Sequence, residues 1–157
     1  MKIITNIFVS LFYSGYFKLW PGTFASIISI FFLFPVIKYQ LISKEIFLLI
    51  FFVIFIISIF FIKKFSLYTN THDSGVIVID EFLGIYLIFI FYDLIYFIND
   101  FLTVILVFVF FRFFDIVKIY PANVIDKKIN NSFGVLLDDI VASIYTILVI
   151  YILSQFF

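Results

Sequence analysis

Acidic residues occur in closely spaced groups that adjoin apolar stretches of the sequence. Asp80 and Glu81 are adjacent, and Asp138 and Asp139 form a second adjacent pair nearer the C-terminus. Carboxylates are costly to place in apolar surroundings unless they are paired with cations or bind a metal ion. Their oxygens suit a hard cation such as Mg²⁺, which keeps several waters and needs few protein ligands. The pairs therefore indicate a metal site, although acids in the first turn of a helix also complement its dipole.

The first acidic pair is preceded by His72 and Asp73, and His72 is the only histidine of the chain. Three acids thus lie within nine residues beside that histidine. This density favours coordination of a hard cation over simple helix capping.

Cationic residues accompany a further acid at the end of an apolar stretch, where Arg112, Asp115 and Lys118 are spaced three residues apart. In a helix this spacing places all three within one face of about 120°. They are interpreted as a phosphate clamp, because arginine offers a bidentate fork and lysine a point charge. Asp115 would then hold a metal beside the anion. A ladder of salt bridges along the helix is the alternative.

Pro21-Gly22-Thr23 stands just before another apolar stretch and predicts a turn followed by a helix, with Thr23 as the N-cap. The free N–H groups at such a helix start attract anions, and Lys18 would assist them. A plain helix cap is the alternative. Together, the four groups provide the residues that phosphoryl transfer needs: metal ligands beside cations that neutralise phosphate charge.

The composition shows which elements must position these residues. Of 157 residues, 66% are hydrophobic and only 13% are charged, whereas soluble domains are nearer half apolar and a quarter charged. We therefore predict an all-α, polytopic membrane helical bundle, formed by residues 1–157 as one domain, with about five apolar spans of roughly 20 residues. The first, second, third and fifth predicted spans cover residues 23–38, 45–63, 82–98 and 140–157. The fourth begins at residue 101 and ends between residues 112 and 115. Residues 1–13 predict an uncleaved helix, either interfacial or partly inserted, rather than a signal peptide.

The charges are distributed unevenly over the two faces that five spans would create. Eight of the ten Lys and Arg residues fall on the face that also carries the acidic groups, and only Lys38 and Lys44 fall on the other. The positive-inside rule therefore predicts that the candidate site faces the cytoplasm. The net charge is zero, so no nucleic-acid partner is expected, and the absence of cysteine excludes thiol chemistry.

Taken in order, these motifs closely resemble the phosphatidylglycerophosphatase A family, and the resemblance extends from about Gly15 to Ser143. It implies a Mg²⁺-dependent lipid phosphatase of the bacterial inner membrane. Its substrate would be the membrane lipid phosphatidylglycerophosphate, converted to phosphatidylglycerol. Ala25 and Ile119 depart from the family pattern, which affects the expected level of activity more than the expected reaction.

The resemblance also implies roles for individual residues. Water is the expected nucleophile, with an aspartate nucleophile left open, and His72 is the expected proton donor to the leaving oxygen. The assigned sets are catalytic His72, Asp73, Asp80 and Asp115; phosphate-binding Lys18, Gly22, Thr23, Arg112 and Lys118; and metal-binding Asp80, Glu81, Asp115, Asp138 and Asp139. A small transporter or metal-ion permease that uses interfacial carboxylates is the alternative function.

Overall fold

The computed structural model describes residues 2–71 and 74–156. The regular secondary structure in these ranges is helical. Eight α-helices occur in these ranges: α1 Lys2–Val9, α2 Pro21–Lys38, α3 Lys44–Thr69, α4 Ile79–Ile90, α5 Tyr92–Ile95, α6 Asp100–Val117, α7 Ala122–Lys128 and α8 Ser132–Ser154. No strand is found in the part of the chain so described, so the predicted all-α class is confirmed. His72 and Asp73 lie outside the described residues.

Three helices, α2, α3 and α8, are long and apolar enough to cross a membrane. They contain 18, 26 and 23 residues, with mean hydropathies of 1.6, 3.1 and 2.1. They correspond to the first, second and fifth predicted spans. The fifth span was predicted to start at Ile140, and α8 already begins at Ser132. Asp138 and Asp139 therefore lie within the helix, in its second turn, where α8 can aim them at neighbouring helices.

The other two predicted spans correspond to shorter or more charged helices. With 12 residues, α4 is about 18 Å long, against a hydrocarbon layer of about 30 Å. With 18 residues, α6 carries three charged side chains, Asp100, Arg112 and Asp115. The count of about five crossings stays a prediction.

The short helix α4 occupies the centre of the bundle and packs against α2, α3, α6 and α8. Its closest approach is to α8: the Ser143 hydroxyl donates hydrogen bonds to the Gly84 carbonyl at 2.9 Å and to the Asp139 carbonyl at 2.7 Å. A Cβ at Gly84 would meet both the Phe111 ring and the Ser143 hydroxyl oxygen. Small residues at this crossing therefore let the two helices that carry the paired acids pack closely.

The charged residues separate to the two ends of the bundle. At one end Lys38 pairs with Asp100 at 2.7 Å, and Lys44 pairs with Asp93. Asp93 lies on the short helix α5, where its side chain is 65% exposed. The opposite end holds the start of α2, α4 and α8 and the end of α6. That end contains the candidate site.

The N-terminal helix α1 lies against the C-terminal half of α3. The Phe8 and Phe61 rings stack with centroids 4.7 Å apart, and the Val78 N–H donates a hydrogen bond to the Val9 carbonyl at 2.9 Å. The helix predicted within residues 1–13 is therefore present. It ends in a turn in which Leu11, Phe12 and Tyr13 all have positive φ.

Candidate active site

A polar cavity of about 390 Å³ opens at the end of the bundle where α2, α4 and α8 begin and α6 ends. Among the residues that the structure describes, six acids and two cationic side chains line it. These are Asp80, Glu81, Asp115, Asp126, Asp138 and Asp139, together with Arg112 and Lys118. The fold thus brings together residues from all four groups that the sequence analysis singled out.

Three of the carboxylates form a compact group. Asp80 and Glu81 project from the first turn of α4 and Asp139 from the second turn of α8, and one oxygen of each lies within 4.8 Å of the others. Asp139 is buried. One oxygen of Glu81 is also buried and has no hydrogen-bond partner among the residues that the structure describes. Such an arrangement of hard oxygen donors, one of them unsatisfied, fits a hard divalent cation.

The other two predicted metal ligands face cationic side chains instead. Asp115 pairs with the Arg112 guanidinium at 2.6 Å, one helical turn away on α6. Asp138 accepts a hydrogen bond from the Lys118 ammonium at 2.6 Å. Asp115 and Asp138 thus form close ion pairs outside the group of three carboxylates. A ligand role for Asp115 and Asp138 stays a prediction.

Arg112 stands between two of the acidic groups. Its guanidinium lies 2.6 Å from the Asp115 carboxylate and 3.8 Å from that of Glu81, and its side chain is only 16% exposed. The first turn of α2 packs directly against this pair, because a Cβ at Gly22 would meet the Glu81 carboxylate and the Arg112 guanidinium. Only glycine allows that approach, which brings the start of α2 to the cavity wall.

The start of α2 differs from the predicted cap. The helix begins at Pro21 behind Trp20, which has a left-handed backbone and provides no side-chain cap. Thr23 is therefore the third helical residue and not the N-cap. The missing cap leaves the first-turn N–H groups of Gly22 and Thr23 beside the cavity, where they favour an anion.

The three-residue spacing predicted that Lys118 shares a helical face with Arg112 and Asp115. In the structure it does not. It is the C-cap of α6, with φ 47°, and its ammonium reaches Asp126 at 2.5 Å and Asp138 at 2.6 Å. Burial acts to lower the pKa of Lys118, but its hydrogen bonds to these two carboxylates outweigh burial and raise the pKa above the ordinary value. Lys118 is therefore cationic at neutral pH.

Asp126 is a site residue that the sequence analysis did not single out. It lies on α7, lines the cavity and pairs with Lys118. Eight residues separate the two, and no periodic pattern indicates that α7 turns back towards α6. Lys18, in contrast, is exposed on the segment before α2 and is not among the residues that line the cavity.

Comparisons with known proteins agree with the residue pattern. A sequence model of the family described as phosphatidylglycerophosphatase A matches residues 7–154. A Haemophilus influenzae protein named phosphatidylglycerophosphatase A is 31% identical over 140 residues, which cover 89% of this chain and 82% of that protein. An Escherichia coli protein of the same name is 29% identical over 146 residues, covering 92% and 80%. No solved structure matches.

The ion pairs at the two ends of the bundle differ in burial, and the stability of Lys→Met variants should reveal this. Lys118→Met leaves the Asp138 carboxylate, which is 9% exposed, without its cation. We expect a loss of about 1–3 kcal/mol in the free energy of unfolding, seen as a lower melting temperature in detergent with chelator present.

Lys44→Met is the matched control, because the side chains of Lys44 and Asp93 are 69% and 65% exposed. Such surface pairs contribute about 0–1 kcal/mol. Equal melting temperatures for the two variants would show that Lys118 is not a structural partner of Asp138.

Proposed function

We propose a reaction from one premise: the chain belongs to the phosphatidylglycerophosphatase A family. The reaction is removal of the terminal phosphate of phosphatidylglycerophosphate, which yields phosphatidylglycerol and inorganic phosphate in phospholipid synthesis. The observation that carries the proposal is the grouping of Asp80, Glu81 and Asp139 within 4.8 Å beside a half-buried arginine. The alternative of a transporter is not favoured, since the acids of the cavity gather at one end of the bundle rather than along a path through it.

Charge balance supports a metal-dependent reaction. In the described part of the chain, six carboxylates and two cationic side chains line the cavity, so a phosphate group would be repelled unless further positive charge were present. We therefore propose that Asp80, Glu81 and Asp139 hold Mg²⁺, with Asp115 and Asp138 adjoining it. When bound, Mg²⁺ would withdraw electron density from the phosphoryl group and offset the carboxylate charge.

The remaining polar groups are placed to bind and orient the phosphate. The Arg112 guanidinium supplies a rigid fork of donors, and the N–H groups of Gly22 and Thr23 supply donors from the uncapped start of α2. Lys118 adds a second positive charge, held in position by Asp126 and Asp138. These groups stabilise the negative charge that spreads over the phosphoryl oxygens in the transition state.

The proposed reaction transfers the phosphoryl group to water. A bond forms between the water oxygen and phosphorus while the bond from phosphorus to the glycerol oxygen breaks. A cavity carboxylate accepts the proton that the water releases, and the leaving glycerol oxygen takes up a proton. His72 is the proposed proton donor, with Asp73 beside it in the sequence.

The proposed location is the bacterial inner membrane, with the cavity facing the cytoplasm. Eight of the ten Lys and Arg residues lie at the cavity end of the sequence-based topology, and cytoplasmic segments are the ones enriched in these residues. A reporter fused within residues 126–131 should be cytoplasmic, and one within residues 97–100 periplasmic. The same location for both reporters, or the reverse one, would contradict the orientation.

Activity should require the grouped carboxylates and a divalent cation. Asp80→Asn and Asp139→Asn keep side-chain shape but remove negative charge, and metal ions supply several kcal/mol of transition-state stabilisation. We therefore expect phosphate release from phosphatidylglycerophosphate to fall by about a hundredfold or more in either variant, and to stop with chelator. Asp93→Asn, at the far end of the bundle, is the control and should match the wild type. Full activity in chelator would exclude the metal site.

Arg112 should act through its fork of donors and not only through its charge. Arg112→Lys retains the charge but loses bidentate binding. We expect kcat/KM for phosphatidylglycerophosphate to fall at least about tenfold, equivalent to roughly 1.4 kcal/mol, while the melting temperature in detergent stays near that of the wild type. If the variant keeps full activity, or if rate and stability fall together, the pair with Asp115 is structural and the clamp assignment is wrong.

A further inference from the structure

Two apolar grooves run along the outside of the bundle beside the polar cavity. The α2 groove, of about 600 Å³, lies between the turn after α1 and one face of α2, and is lined by Leu11, Phe12, Phe24, Ile28, Phe32 and Phe82. The α1 groove, of about 310 Å³, lies between α1 and the helices α3 and α4, and includes Ile4, Ile7, Phe8 and Ile54. The two grooves meet, because Leu11, Phe12 and Phe82 line both.

The α2 groove lies next to the cavity along two helices. Phe82 directly follows Glu81 on α4, and Phe24 directly follows Thr23 on α2; Glu81 and Thr23 line the cavity. From Phe24 to Phe32 the α2 groove spans eight residues, or about 12 Å of helix. A molecule with a polar phosphate and long apolar chains could therefore occupy the cavity and the grooves together.

Exposed aromatic side chains place this end of the bundle at the level of lipid headgroups. Trp20 lines the cavity yet is 76% exposed, and Tyr13 and Tyr16 on the preceding segment are about half exposed. Tryptophan and tyrosine concentrate at membrane–water interfaces. The cavity mouth accordingly lies at the interface, and the α2 groove extends from it along a helix that is apolar enough to cross the membrane.

We propose that the α2 groove and the α1 groove each hold one acyl chain of a single diacyl phospholipid whose terminal phosphate lies in the polar cavity. This inference rests on the proposed function and extends it, because it assigns the lipid-binding site. The wall of Leu11 and Phe12 separates the two chains, and Phe82 lies where they join the glycerol. Lipid that merely surrounds the protein would have no preference for these grooves over other apolar faces.

Filling either groove should impair hydrolysis of the lipid but not of its headgroup. Ile28→Trp adds bulk within the α2 groove, and Ile7→Trp adds it within the α1 groove. The matched controls are Ile27→Trp and Ile3→Trp, on the same helices, at positions that are 50% and 68% exposed and are not among the residues that line the grooves.

With dipalmitoyl phosphatidylglycerophosphate, we expect KM to rise about tenfold in each groove variant and to stay unchanged in the controls. With the deacylated headgroup, glycerophosphoglycerophosphate, groove variants and controls should have the kcat/KM of the wild type. If groove variants and controls hydrolyse the long-chain lipid equally well, the grooves hold only surrounding lipid and the inference is overturned. Equal losses on both substrates would also overturn it, since they indicate general distortion.

A binding measurement separates this inference from the proposed function. Wild-type protein in phosphatidylcholine vesicles is labelled with a phosphatidylglycerophosphate that carries a photoreactive group in one acyl chain. Labelling should concentrate within residues 11–14, 24–32 and 4–8 and should be suppressed by excess unlabelled phosphatidylglycerophosphate. Competed labelling without phosphate release would refute the proposed reaction but retain the lipid site. Phosphate release with labelling spread evenly over α3 and α8 would refute the site alone.

Discussion

The structure depends on a repulsion that it must balance: six carboxylates face one cavity in a bundle built mostly from apolar helices. Charges in such surroundings interact strongly because the dielectric constant is low. The chain balances part of this charge with Arg112 and Lys118, each placed between two acids. Asp80, Glu81 and Asp139 form one compact group of carboxylates, which is the position in which a metal would do most for stability and chemistry.

The distances between those carboxylates depend on helix packing about one turn away from them. α4 carries Asp80 and Glu81, α8 carries Asp139, and the two helices approach closely where Ser143 bonds to the Gly84 carbonyl. That contact lies one turn below the acids on each helix, so a larger residue there would move the two halves of the group apart. Gly22 has a comparable role on α2. Because it has no side chain, the first turn of that helix packs against Glu81 and Arg112. Small residues thus determine the site geometry as directly as the acids do.

The sequence predicted what depends on local pattern. Apolar runs identified the long helices α2, α3, α6 and α8, and the carboxylate pairs with Arg112 and Gly22 identified most of the cavity wall. It failed where tertiary contacts decide. Lys118 leaves the face of α6 because the helix ends at Val117 and the side chain turns to acids on α7 and α8. Asp126 belongs to the site only because α7 folds back, and Thr23 lost its cap role because Pro21 already starts α2. Such contacts join residues whose separation follows no helical period.

The proposed substrate occupies two solvents, because its phosphate lies in water and its acyl chains lie in lipid. The position of the cavity at one end of the bundle suits both. Phosphate ester hydrolysis needs water and releases an ion that is insoluble in hydrocarbon, whereas the acyl chains are costly to remove from lipid. A site in the middle of a span would suit neither. In the proposed arrangement, Trp20 and the turn after α1 lie at the level where both solvents are within reach, with polar walls on one side and apolar grooves on the other. The central helix α4 joins the two environments, since Glu81 faces the cavity and the next residue, Phe82, lines the grooves.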